Sequence, residues 1–156
     1  MYYFAYGSNM NHAQMTERCK GSKFIKRALL KDYRFVYDSY AGHREGAVAN
    51  IVQAIGSEVW GALFEISEEN LRELDKYERY PTAYQRKEFE VQDDNGHLIR
   101  AIAYYRTGKT EGKPSKDYEL IVADGAEDCD LPRKYISRIL KRYRPSPQKL
   151  DFSEKD

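Results

Sequence analysis

One glutamate near the middle of the chain has an unusual position for an acidic side chain. Glu78 ends a segment, Ser67 to Glu78, whose apolar residues have helical spacing. At about 100° per residue, Glu78 falls on the same stripe as Leu71 and Leu74, which a helix would bury. Burial and the C-terminal end of a helix dipole both raise the pKa of a carboxyl group. The pattern therefore indicates a candidate general base.

A structural explanation of Glu78 stays open, and periodicity alone slightly favours it. An ion pair with Arg79 or another basic residue would also stabilise a carboxylate at this position, as would fraying of the helix end. Asp75 shares the same face and has the same ambiguity. The spacing alone does not decide between catalysis and an ion pair.

The second candidate site is the turn Tyr6-Gly7-Ser8-Asn9-Met10, which connects an apolar run to the start of a helix. Backbone N–H groups in such a turn can bind an anion or a carbonyl oxygen. Gly7 would let a ligand approach the backbone, and Ser8 and Asn9 add side-chain donors. No Gly-Lys-Ser/Thr follows, so this is not a Walker loop. Ser8 is predicted to be a turn hydroxyl rather than a nucleophile, because no His/Asp pair has a recognisable spacing.

The pattern around these two sites predicts about six strands and three or four helices. The strands are expected at Tyr2–Tyr6, Ala28–Tyr40, 47–54, 59–66, 84–92 and 98–106. The helices are expected at His12–Cys19, Ser67–Glu78, Ser115–Asp124 and Arg133–Tyr143. Gly56-Ser57-Glu58 and Asn95-Gly96 are interpreted as hairpin turns.

These elements predict one α+β domain in which helices flank a small, mixed, largely antiparallel, barrel-like sheet. The chain has 156 residues, about the length of one domain. We expect the domain to span residues 1–144 and a polar tail to span residues 145–156. The prediction places both candidate sites in the same domain.

Composition limits the classes of partner. The formal net charge is +1, which argues against a nucleic acid, and no apolar run is long enough to span a membrane. Cys19 and Cys129 are expected to be reduced thiols. We therefore expect a cytoplasmic protein, either a monomer or a homodimer. Tyrosine is unusually frequent, with 14 residues against 6 phenylalanines, which predicts hydroxyl groups inside an apolar core.

Five motifs together resemble the γ-glutamylcyclotransferase family, which has an AIG2-like fold. In chain order they are Tyr3-Phe4-Ala5-Tyr6-Gly7-Ser8-Asn9-Met10, Glu58-Val59-Trp60-Gly61, Leu74-Asp75 with Glu78, Pro114-Ser115-Lys116-Asp117-Tyr118, and Gly125-Ala126 followed by Leu131-Pro132. Each motif is weak when taken singly. Their order and spacing extend the resemblance from the first strand almost to the last helix.

The resemblance implies an enzyme that cleaves a γ-glutamyl amide through the substrate's own α-amino group, releasing 5-oxoproline and a free amine. It also implies that Glu78 is the general base. The same resemblance implies that the substrate is held by Tyr6, Gly7, Ser8, Asn9, Met10 and Tyr118. The substrate supplies the nucleophile, so the reaction needs neither a metal nor an organic cofactor.

Three alternatives remain open. The leaving group is an amino acid by default, whereas a specialised member would deprotect an aminoglycoside intermediate of the butirosin type. Such a polycationic substrate would favour an acidic rim, for which the candidates are Glu45, Glu65, Asp93 and Asp94. A binding module that holds a γ-glutamyl ligand without chemistry is the third alternative. The presence of Glu78 argues against that module, because a carboxylate repels an acidic ligand.

Overall fold

The computed structural model describes residues 1–107 and 109–139. The strands are β1 (Tyr2–Ala5), β2 (Lys23–Ala41), β3 (Gly46–Glu65), β4 (Gln85–Gln92) and β5 (Leu98–Tyr105). The helices are α1 (His12–Arg18), α2 (Glu68–Tyr77), α3 (Lys116–Asp128) and α4 (Arg133–Ile139). Short 3₁₀ turns span Ser8–Met10 and Gly42–Arg44.

The five strands close into a barrel in the order β1-β3-β2-β4-β5. The pairs are antiparallel except for β1 with β5, which run parallel and join at Tyr3 and Ile102. The sheet is therefore mixed and largely antiparallel, and helices flank it. The predicted α+β, barrel-like fold class is confirmed.

The predicted hairpin at Gly56-Ser57-Glu58 is wrong. Residues 47–54 and 59–66 do not pair with each other, because 46–65 is one long strand that pairs with β2 on both sides of this point. The true turn lies at Gly42–Arg44. Gly56 instead has a φ of +88° in a bulge, and its N–H donates to Oδ1 of Asp32 across the pair at 3.0 Å. A glycine suits a bulge as well as a turn, so the sequence signal was ambiguous.

Helix α3 extends beyond its predicted end at Asp124 and continues to Asp128. Gly125 lies inside the helix because α3 packs directly on the first 3₁₀ turn. A Cβ atom at Gly125 would meet the backbone of Met10 at 2.7 Å and would also overlap the backbone of Asn11. The glycine therefore marks the close approach of α3 to the N-terminal turn.

Other boundaries agree with the sequence patterns to within a few residues, except that β2 begins five residues earlier than predicted. The predicted residues 140–143 of the last helix and the predicted tail 145–156 lie outside the described residues. The division into a domain and a tail stays a prediction. In the part of the chain that the structure describes, no helix is long and apolar enough to cross a membrane.

Candidate active site

Glu78 is held at the C-terminal end of α2 by strong capping at both ends of the helix. At the start, the Ser67 hydroxyl accepts from Asn70 N–H at 3.0 Å, and the Asn70 side chain accepts from Ser67 N–H at 3.1 Å. At the end, Arg79 has the left-handed φ of 51° that is usual for glycine. The N–H of Tyr80 donates to Asp75 O at 2.9 Å, which completes a Schellman motif. The backbone of Glu78 is therefore fixed.

Asp75 anchors the same helix to the barrel. Its carboxylate accepts from Arg86 Nε at 2.8 Å and from the Tyr104 hydroxyl at 2.6 Å. These contacts connect α2 to β4 and β5. The two acidic residues of the stripe thus have different surroundings, because Asp75 has the ion pair that the sequence left open and no described lysine or arginine forms one with Glu78.

The glycine turn faces Glu78 from the other side. The Asn9 side chain donates to the Tyr3 hydroxyl at 3.0 Å and accepts from Gln14 Nε2 at 2.9 Å. Gln14 also donates to Ser8 Oγ at 2.8 Å. The N–H groups of Ser8 and Asn9 open a helical turn and so lack partners within it. The structure therefore supplies a turn with rigid side chains and available backbone donors.

Gly7 lies at the closest contact of this turn with β3. A Cβ atom at Gly7 would be 2.9 Å from Cβ of Ala49, so a larger residue would push the turn away from the strand. The backbone of Ala49 also fixes two tyrosines. Its N–H donates to Tyr118 Oη at 3.0 Å, and its carbonyl oxygen accepts from Tyr84 Oη at 2.7 Å.

These groups surround an inner pocket of about 50 Å³. It is lined by Tyr3, Tyr6, Gly7, Ser8, Asn9, Ala49, Glu78, Tyr84, Tyr104 and Tyr118. Of the predicted site residues, only Met10 is not part of this lining. Met10 is fully buried in the core beneath the turn, because its side chain points away from the pocket toward α3.

Burial dominates the electrostatics of Glu78. Burial raises its pKa to about 7, although the charges of Arg18, Arg106 and Arg44 oppose the shift. A carboxyl group with this pKa can both accept and return a proton near neutral pH.

A second cavity of about 280 Å³, the outer vestibule, opens from the inner pocket. Both cavities are lined by Ser8, Glu78, Tyr84 and Tyr118. The vestibule alone is lined by Arg18, His43, Arg44, Arg79, Arg106 and Lys109, among others. If a ligand extends from the inner pocket into the vestibule, the part in the vestibule lies in a basic environment.

Comparisons with known proteins identify the family of the chain. A profile of the AIG2-like family matches residues 58–139. The chain is 31% identical over 157 aligned positions to a γ-glutamylcyclotransferase of Homo sapiens, an alignment that covers 97% of this chain and 83% of the human protein. The chain belongs to the AIG2-like, γ-glutamylcyclotransferase family. A Mus musculus γ-glutamylcyclotransferase is 29% identical with the same coverage.

The family membership extends to the three-dimensional structure. A solved structure of a γ-glutamyl cyclotransferase superimposes with a TM-score of 0.86 at 29% identity, covering 94% of this chain and 89% of that one. The names of these relatives are those of enzymes. The barrel described above is thus the fold of an enzyme family.

Several residues of the pocket were not predicted from the sequence. Neither Tyr3 nor Tyr84 of the inner pocket was predicted, and neither was Arg106 of the vestibule. Tyr104 and Tyr105 are successive residues of β5 and point to opposite faces, and Tyr104 is the buried one. The excess of tyrosine was the available signal, since five tyrosines line one small pocket.

Neither the two cysteines nor His97 lines either cavity. Cys19 and Cys129 are buried free thiols, and His97 is exposed beside the turn after β4. Within residues 1–107 and 109–139, no three His, Cys, Asp or Glu side chains converge in a way that could hold a metal ion. A larger cleft of about 980 Å³ lies between β2 and α4, but Glu78 and the glycine turn are not part of it.

Proposed function

We propose that this protein is a γ-glutamyl cyclotransferase that converts a γ-glutamyl amide into 5-oxoproline and a free amine. One observation carries the proposal. Glu78 combines a raised pKa of about 7 with a position opposite a donor-rich turn, in a pocket that otherwise presents neutral groups. A proton acceptor facing backbone donors is what an intramolecular acyl transfer requires.

The reaction proceeds by attack of the substrate's α-amino nitrogen on its own γ-carbonyl carbon. Glu78 accepts a proton from the attacking amine as the new carbon–nitrogen bond forms. The same carboxyl group then gives a proton to the departing nitrogen as the original amide bond breaks. One residue therefore acts in both steps, and the protein supplies no nucleophile.

The glycine turn is proposed to stabilise negative charge. Backbone N–H groups of Ser8 and Asn9 are candidate donors for the oxyanion of the tetrahedral intermediate or for the α-carboxylate of the substrate. The inner pocket is small, and its tyrosines are fixed by hydrogen bonds such as Tyr6 Oη to Tyr104 O at 2.5 Å. We infer that it holds the γ-glutamyl chain folded, with the amine near the carbonyl.

The charge of the vestibule favours an amino acid leaving group over a polycationic aminoglycoside. None of the four acidic residues considered for an acidic rim lines either cavity. Asp93 is buried within its own turn, where it pairs with Lys26 at 2.9 Å, and Asp94 pairs with Arg27 at 3.2 Å. A polycation would be repelled by the arginines of the vestibule.

Non-catalytic binding of a γ-glutamyl ligand is the competing proposal, and product analysis separates the two. We expect γ-glutamyl-alanine incubated with the protein to give equal amounts of 5-oxoproline and alanine by mass spectrometry. The α-N-acetylated substrate is the control and should not react, because its nitrogen is no longer nucleophilic. Calorimetric binding of γ-glutamyl-alanine without any product would favour the binding module.

The activity is predicted to fall as the pH decreases through about 7. The raised pKa means that Glu78 is protonated, and therefore unable to accept a proton, below this value. We expect kcat/KM to decrease about tenfold per pH unit where only the substrate amine becomes protonated, and about 100-fold per pH unit below about pH 7, where Glu78 becomes protonated as well. The first of these protonations belongs to the substrate's α-amino group, whose pKa lies above that of Glu78, and a separate titration of the substrate identifies it.

The experiment is a series of kcat/KM measurements between about pH 5 and about pH 9 at constant ionic strength. A break to a steeper slope near pH 7 is expected from Glu78. A slope that stays near tenfold per pH unit down to about pH 5 would contradict the assignment, because a carboxyl group with an ordinary pKa would still be ionised there.

We further propose that the protein acts in the cytoplasm on a small-molecule substrate, without nucleic acid or membrane partners. A monomer and a homodimer are both compatible with this proposal. Size-exclusion chromatography with light scattering distinguishes the two states.

A further inference from the structure

The outer vestibule carries more positive charge than the reaction needs. Its cationic side chains are Arg18, Arg44, Arg79, Arg106 and Lys109, and the acidic side chain among its lining residues is Glu78. Within the described residues, Arg106 is the member that has a carboxylate partner, the buried Asp38. The chain as a whole has a formal net charge of only +1. The positive charge is therefore a local feature of this cavity.

Two of these arginines are held in place by neutral groups. Arg18 donates to Asn9 Oδ1 at 3.2 Å and lies 4.2 Å from the Tyr77 ring centroid. Arg44 donates to Gln14 Oε1 at 3.1 Å and lies over the Tyr118 ring. Both are half-buried. Burial lowers the pKa of Arg44 and the charge of Arg18 lowers it further, whereas Tyr118 and Glu78 oppose the shift.

Two further cations lie at the solvent end of the same cavity. Arg79 follows Glu78 directly, and Lys109 follows β5. Both side chains are exposed. The vestibule thus has an inner pair of cations, Arg18 and Arg44, and an outer pair, Arg79 and Lys109.

Because the two cavities are connected, the position of the γ-glutamyl group determines which part of the substrate lies near these cations. If the γ-glutamyl group occupies the inner pocket, the amine side of the amide extends past Glu78 into the vestibule. An ordinary amino acid leaving group brings one carboxylate, whereas the vestibule offers two pairs of cations that form no ion pair with a carboxylate among the described residues. A second negative charge on the leaving group would meet the outer pair and relieve their repulsion.

We propose that the preferred leaving group is an acidic amino acid, aspartate or glutamate, so that the substrate is a γ-glutamyl dipeptide with an anionic side chain. This inference rests on the proposed cyclotransferase function. It assigns the vestibule as a subsite for two carboxylates. The inner pair binds the α-carboxylate of the leaving residue, and the outer pair binds its side-chain carboxylate.

The test compares two substrates of nearly equal size, γ-glutamyl-aspartate and γ-glutamyl-asparagine, with wild-type protein. Release of 5-oxoproline from each is measured at about 0.05 M and about 0.5 M NaCl. We expect kcat/KM to be at least about fivefold higher for the aspartate dipeptide, mainly through KM, and the ratio to approach one at high salt. Salt dependence distinguishes charge recognition from shape.

The outcomes separate the inference from the function on which it rests. Equal kcat/KM for both dipeptides, or a preference for asparagine, would overturn the inference and leave the cyclotransferase proposal standing. Failure of both dipeptides and of γ-glutamyl-alanine to yield 5-oxoproline would overturn both.

A pair of variants locates the source of the preference. The double variant Arg79→Gln/Lys109→Gln is expected to lower the aspartate-to-asparagine ratio at least about threefold. Arg72→Gln is the matched control, because Arg72 is an exposed arginine of α2 that does not line the vestibule. A ratio that the double variant leaves unchanged would overturn the assignment of the outer pair.

Discussion

Replacing Glu78 with glutamine is expected to lower kcat for 5-oxoproline release by roughly 10²- to 10⁴-fold while the protein stays folded. Glutamine keeps the shape of the side chain but cannot accept the proton of the attacking amine. The turn and the tyrosines that shape the inner pocket are unchanged, so the KM of γ-glutamyl-alanine should change little. The measurement is steady-state kinetics with 5-oxoproline detection.

Glu73→Gln is the matched control for this variant. Glu73 lies on the same helix, but it is partly exposed, points outward and pairs with Lys76 at 2.9 Å. We expect this control to retain wild-type kcat within about twofold, because a surface ion pair contributes little. Turnover by Glu78→Gln within a few fold of wild type would remove Glu78 from the mechanism.

The same variant should change stability in a pH-dependent way that does not rely on activity. The folded-state pKa of Glu78 is raised from 4.5 to about 7, so the folded protein binds this proton more tightly than the unfolded chain. The extra stability that protonated Glu78 gives the folded protein is fully present below about pH 4.5 and is lost as the pH rises to about 7. The free energy of unfolding of Glu78→Gln, relative to that of wild type, should therefore increase by roughly 1–3 kcal/mol between pH 5 and pH 8.

Replacing Asp38 with asparagine is expected to destabilise the protein by about 3 kcal/mol or more. Asp38 and Arg106 form a buried ion pair, and Asn50 completes the network. The Asn50 side chain donates to Asp38 Oδ2 at 2.9 Å and accepts from Arg106 N–H at 3.0 Å. The variant would leave the guanidinium of Arg106 buried without a counter-charge. Urea denaturation at pH 7.5 measures the free energy of unfolding.

The exposed pair Arg34–Glu111, at 2.9 Å, provides the control. Glu111→Gln breaks an ion pair that is exposed to solvent, and we expect a loss below about 1 kcal/mol. Equal effects of the two variants would show that the Asp38–Arg106 pair does not behave as a buried charge. The comparison matters for the site because the guanidinium of Arg106 lies 4.4 Å from the ring centroid of Tyr84.

The sequence predicted the two halves of the site for sound physical reasons. Glu78 was detectable because a charged residue on an apolar helical stripe is energetically unusual. The turn at Gly7 was detectable because glycine followed by polar donors interrupts an apolar run. Both signals are local, so neither required knowledge of the fold.

The convergence of the tyrosines could not be predicted in the same way. Tyr84 and Tyr118 meet because both bond to the backbone of Ala49, a residue of a third element. Tyr104 reaches the pocket through the register of β5. Contacts between distant residues depend on barrel closure, which the spacing of apolar residues does not encode.

The interactions that fix the position of Glu78 also could not be predicted from the sequence. Arg79 occupies the left-handed position of a Schellman motif, where glycine is the usual residue, so the sequence lacked the usual signal for the helix end. The ion pair of Asp75 with Arg86 depended on a partner eleven residues away on another element. This ion pair identifies Asp75 as an anchor of the helix and distinguishes it from Glu78. The apolar stripe alone could not make that distinction.

The central claim is that the substrate's own amine, and not water, attacks the γ-carbonyl carbon with Glu78 as base. The most direct measurement is mass spectrometry of the products formed from γ-glutamyl-alanine in H₂¹⁸O. Cyclisation predicts 5-oxoproline that contains no ¹⁸O, since the carbonyl oxygen stays in place and no water is added. Glutamate carrying one ¹⁸O atom would show hydrolysis and would contradict the account.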